Sequence, residues 1–131
     1  RRDNASDILS SRCRFLPNLS PFEWYNLFGQ MSLNITYFFH GACLSLVNHI
    51  PTIAIDDATT PYKSKYSQLM TDLGLGNYLF SHKEMNYTKL IECVEYLLSH
   101  QEQEKHRISE AIKNERKKSL SFFNKLDDIL K

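Results

Sequence analysis

The chain has 131 residues, 42% of them hydrophobic and 24% charged, with a net charge of +1. That length fits one domain with a modest core, and the balance excludes disorder. A near-neutral charge argues against a nucleic acid or an anionic membrane as main partner.

No apolar run approaches the ~20 residues that span a bilayer, so no transmembrane segment is expected. The chain opens on "RRDNASD", with neither Met nor a signal-peptide pattern, as expected of a fragment. Cys13, Cys43 and Cys93 are odd in number and widely spaced, which fits a reducing, cytoplasmic setting. N-x-S/T triplets start at Asn4, Asn18, Asn34 and Asn86. We read them as chance, because Asn34 runs into a predicted buried strand.

In chain order, residues 3–11 read as a short helix with Ile8 and Leu9 as its apolar contact, and "CRFLP" (13–17) as a strand stopped by Pro17. "SPFEWYNLFGQ" (20–30) carries a helix start: Ser20 as N-cap, Pro21 next, Glu23 three residues after the cap. Its aromatic density predicts packing on a sheet. "NITYFF" (34–39) reads as a strand covered on both faces, since it lacks polar alternation. A short helix is expected over 41–49, and a fully apolar strand over 51–56. A helix over 61–75 is closed by Gly74 or Gly76. "NYLF" (77–80) is a further short strand.

Residues 86–101 show apolar side chains at three- and four-residue spacing and predict an amphipathic helix. The tail, 102–131, reads as one long helix or two. Its charge run "EKHRISEAIKNERKK" is expected to be a solvated face. Strand–helix alternation predicts an α/β fold, Rossmann-like, with a parallel sheet, flanking helices and a long helical tail, as a single domain over 1–131. Ligands of such sheets sit at the carboxyl ends of the strands.

His40 and Gly41 fall where strand 34–39 hands over to a helix. A helix N-terminus attracts phosphate and carboxylate, and Gly41 lets a ligand approach the backbone. A histidine here serves equally to cap the helix, and that is the commoner role. Lys63 and Lys65 follow the next strand and return to the same edge through the crossover. Ordinary surface charge is the commoner fate of a lysine. Asp56 and Asp57 end that strand and suit sugar hydroxyls, a metal or a turn. No Ser-His-Asp elbow, P-loop or G-x-G-x-x-G is present.

The ordered series "FFHGACLSLVNHIPTIAI", "DDATTPYKSK" and "LMTDLGL" within 20–75 resembles the C-terminal half of the polysaccharide pyruvyl transferase family. The resemblance implies half of a two-domain, glycosyltransferase-like fold of GT-B type, with the active site in the cleft. It implies transfer of a pyruvyl group from phosphoenolpyruvate to a glycan acceptor of a surface polysaccharide, with no cofactor or metal.

The family histidine corresponds to His40. The family lysine corresponds to Lys65, counting back from Met70, or to Lys63 if the loop shifts; both lysines and Gly41 are implied on the donor side. Phe38 stands where a basic residue is often found, and "DDATT" replaces a Tyr-Asp pair. The N-terminal half is expected from elsewhere in a parent chain, which leaves this chain inactive alone and prone to self-association. The rival readings are the donor half of a sugar-nucleotide glycosyltransferase and a non-catalytic interaction module.

Overall fold

The computed structural model describes residues 11–14, 16–56 and 64–131. The expected helix over 3–11 and the assignments of Lys63 and Asp57 lie largely or wholly outside the described residues. Cys13, Arg14, Leu16 and Pro17 form no strand.

Three parallel strands make the sheet: β1 (Asn34–Thr36), β2 (Thr52–Asp56) and β3 (Leu79–Ser81), in the order β1-β2-β3. Ile35 pairs with Ile53, and Ala54 with Leu79. β2 is central among the described strands. Its Thr52, Ile53 and Ala54 are buried, which is why it reads as an unbroken apolar run.

The helices are α1 (Pro21–Gly29), α2 (Phe39–Val47), α3 (Lys65–Asp72), α4 (Tyr87–Ser99) and α5 (Gln101–Leu130), with a 3₁₀ turn at Gly76–Tyr78. The α/β class with a parallel sheet, flanking helices and a long final helix is therefore as the sequence predicts.

α1 starts on the expected capping box. Ser20 N donates to Glu23 Oε2 at 2.7 Å and Glu23 N to Ser20 Oγ at 3.3 Å. The main contact of α1 is another helix rather than the sheet, however. It lies against α2, buries no residue fully, and leaves Phe22 and Tyr25 exposed.

α2 buries Ala42, Ser45 and Leu46 at three- and four-residue spacing. Asn34 ties it to the sheet: its Nδ2 donates to Ser45 Oγ at 2.5 Å and to Gly41 O at 3.2 Å. That side chain is committed to the fold, in keeping with the rejection of a glycan there. Asn86 is likewise occupied, accepting from Lys89 N at 3.1 Å as the N-cap of α4.

The core joins Leu46, Ile53, Met70, Leu75, Leu97 and Ile108. Of α4's apolar positions, Leu97 is buried and Leu90 and Val94 pack on the core, while Tyr87, Ile91 and Leu98 stay exposed.

α5 is a single 30-residue helix, about 45 Å long. Intrahelical pairs such as Lys113–Glu110 at 2.9 Å and Lys118–Glu115 at 2.7 Å fit a solvated charged face. Two charges in the run depart from that expectation. Glu104 is buried, and Arg107 pins α5 to the body by donating from Nη2 to Gly74 O at 2.7 Å and from Nη1 to Tyr78 Oη at 3.3 Å. No described helix is long and apolar enough to cross a membrane.

Candidate active site at the carboxyl edge of the sheet

The handover from β1 to α2 comes earlier than the sequence predicts. Thr36 makes the turn: its Oγ1 accepts from Phe38 N at 3.0 Å and donates to Phe38 O at 3.2 Å. This local bonding competes with strand pairing, as threonine hydroxyls do. Tyr37 and Phe38 are therefore exposed, and so is Ile35 on the sheet face away from Asn34. The strand covered on both faces over 34–39 is corrected to a strand of three residues at the edge of the described sheet.

His40 follows as the second residue of α2, not as the end of a central strand. It stays on the carboxyl side of the sheet and is exposed to solvent. Phe38 is the N-cap and supplies no side-chain cap. Among the described residues the first N–H groups of α2, at Phe39, His40 and Gly41, thus open the helix without a side-chain acceptor, and they carry the positive end of its dipole.

Gly41 has a packing reason for its missing side chain. A Cβ there would lie 3.0 Å from Thr36 Oγ1 and 3.8 Å from Phe28 Cζ. The glycine lets α2 settle on β1 and α1, and any ligand contact through it goes by its N–H.

Lys65 is the first residue of α3 and is exposed. The two helix starts meet through aromatic rings. The Phe39 ring lies 6.0 Å from that of His40 and 5.5 Å from that of Tyr66, both edge-on. His40 and Lys65 thus neighbour the two ends of one aromatic contact, with no hydrogen bond between them. β3 reaches the same edge: His82 N donates to Asp56 O at 2.9 Å, and the Tyr37 and His82 rings lie 6.4 Å apart.

Tyr66, the second residue of α3, belongs to no motif in the sequence. Its hydroxyl is buried and has no hydrogen-bond partner among the described residues. Burial, with a smaller push from the Asp56 carboxylate, raises its pKa to about 12. The hydroxyl therefore stays protonated and is a donor without an acceptor. The available signal was the spacing of Tyr66, Met70 and Leu73, which marks the buried stripe of α3.

The three cysteines are free, and burial pushes the Cys43 and Cys93 thiols up, away from thiolate chemistry. Among the described residues no three His, Cys, Asp or Glu side chains converge on a metal position.

The site is thus a helix mouth bearing an exposed histidine, a lysine on the adjoining helix start, and, on the next residue of that helix, a tyrosine with a buried hydroxyl. Neither a curated protein nor a solved structure matches the chain. One family model does, and its span covers β1, His40, Gly41, α2 and β2 but stops before Lys65: residues 2–58 match the polysaccharide pyruvyl transferase family.

Proposed function

We propose that the mouth of α2 is the donor wall of a pyruvyl transferase that builds a surface polysaccharide. The observation that carries this reading is the α2 N-terminus, which has no side-chain cap and bears His40 within the segment that matches the family. Phosphoenolpyruvate carries a phosphate and a carboxylate, and both suit the N–H groups of Phe39, His40 and Gly41. Lys65 pairs with one of the two anionic groups from the start of α3. Lys63 is the alternative.

In the reaction, a sugar hydroxyl attacks C2 of the enol phosphate while the methylene carbon takes a proton and becomes methyl. A second hydroxyl of the same sugar then displaces phosphate and closes the ketal. His40 is the group we assign to the first protonation or to holding the phosphate. General acid catalysis by a positioned histidine is worth roughly 10²–10⁴-fold in rate. Fixed donors aimed at the departing phosphate contribute further, since they need no reorganisation as charge develops.

One wall does not hold donor and acceptor in a single geometry, so the chain acts with a second α/β half and is inactive by itself. The test is donor binding by the purified chain, with phosphoenolpyruvate measured against a panel of nucleotide sugars. Saturable binding of phosphoenolpyruvate alone supports the reading. Binding of a nucleotide sugar in its place would give the site to a glycosyltransferase.

A further inference from the structure

α5 outruns the body it packs on. Its early turns are buried at Glu104 and Ile108, and Ile112 is partly covered. Beyond them Leu120, Phe123, Leu126 and Leu130 are 40–78% exposed.

These residues are not scattered around the helix. At about 100° per residue, Ile112, Arg116, Ser119, Leu120, Phe123, Leu126, Asp127 and Leu130 fall on one stripe. Through Phe123 the stripe faces a mainly apolar groove of about 560 Å³, whose other walls are Cys43, Leu46 and Val47 of α2 and Leu69, Asp72 and Leu73 at the end of α3. Past the groove the stripe continues with nothing described against it.

The stripe is complementary to itself when reversed. A two-fold axis between Ser121 and Phe122 sets Leu120 opposite Phe123 of a second copy, and Arg116 opposite its Asp127, whose carboxylate is held within the helix only by an exposed pair with Lys131 Nζ at 3.0 Å. The same two contacts recur on the other side of the axis. Arg116 and Asp127 are eleven residues apart, about 16 Å along the helix, with only apolar or small side chains between them on the stripe.

Lys118 and Lys125, which would face each other, point away from the stripe. Glu115 lies at the edge of the stripe, where Lys118 Nζ already holds it at 2.7 Å, and Asp128 lies on the back of the helix. Reversing one helix also brings the second copy's Leu126 and Leu130 toward the groove. Apolar surface of this extent finds partners, and paired charges select the register.

We propose that the chain forms an antiparallel two-fold dimer through the distal half of α5, with Arg116 of each copy paired to Asp127 of the other. Each helix end would then fill the α2–α3 groove of the other copy.

Sedimentation equilibrium of the whole chain tests this, with circular dichroism confirming that each variant keeps its helix. We expect a concentration-dependent dimer, abolished by Phe123→Glu. Arg116→Asp and Asp127→Arg should each weaken it at least about tenfold, since each removes both charge pairs and creates like-charge contacts. The double variant carrying both changes should recover most of the affinity. A wild-type chain that remains monomeric up to roughly 1 mM overturns the proposal. So does a dimer that the double variant fails to restore, because that register would be wrong. Neither result depends on what α2 binds.

Discussion

α2 and α3 end alike and begin differently. Each closes on a Schellman motif: Ile50 N bonds Ser45 O at 2.9 Å in α2, and Leu75 N bonds Met70 O at 2.7 Å in α3. The left-handed residue that this needs is Gly74 in α3, at φ 68°, and His49 in α2, at φ 60°. At their starts the symmetry is lost. Ser64 caps α3 by accepting from Ser67 N at 3.0 Å, whereas the Phe38 side chain offers α2 no acceptor. A capped helix has already spent part of its anion affinity on its own side chain. The one left open adjoins His40, and this difference is why we propose the donor site at α2, with α3 supplying a side chain.

The largest expected effect is on chemistry. In a parent enzyme with both halves, His40→Ala should lower turnover by roughly 10²–10⁴-fold. His40 is exposed, so thermal stability should move by no more than about 0.5 kcal/mol. Turnover kinetics beside a melting curve check both.

Next comes the aromatic start of α3. Burial raises the Tyr66 pKa to about 12, as it does that of Tyr78. Folded values above the unfolded value of 10.0 mean that the folded state holds these protons more tightly. The stability they contribute is complete below pH 10 and is lost as pH rises toward 12. Each tyrosine accounts for roughly 2–3 kcal/mol of that loss. Urea melts between pH 9 and pH 12 should show it, and Tyr66→Phe should remove about half.

Two cap exchanges then separate the helix starts. Phe38→Ser gives α2 the cap that it lacks. It should add about 1 kcal/mol of stability and weaken phosphoenolpyruvate binding, because the new hydroxyl competes for the same N–H groups. Ser64→Ala takes the cap from α3. It should cost about 1 kcal/mol and leave donor binding unchanged. Calorimetric titration and thermal melts of both variants decide whether the open mouth is what binds.

Much of this was legible in the residues, for identifiable reasons. β2 declares itself because a parallel strand buried on both faces needs an apolar run. The α1 capping box and the Gly74 stop are local, so local sequence encodes them. β1 misleads because "NITYFF" satisfies strand propensity throughout, while the Thr36 hydroxyl turns the chain after three residues. The aromatic α1 misleads in another way, because density of apolar residues does not say which element will cover them.

His40–Gly41 stands out in the sequence, yet Gly41 is explained by the 3.0 Å approach of Thr36, a contact between elements that no spacing reveals. The same holds for Glu104 and Arg107. Within a charge run they look solvated, and only the docking of α5 on Gly74 and Tyr78 makes them structural.

Amide chemical shifts of the chain during titration with phosphoenolpyruvate test the open-mouth assignment most directly. We expect saturable shifts of the Phe39, His40 and Gly41 amides and of the His40 ring, with the Ser67 amide unmoved beneath its Ser64 cap. Shifts that never saturate, or that appear only on surface lysines away from α2, would contradict a donor site at the mouth of that helix.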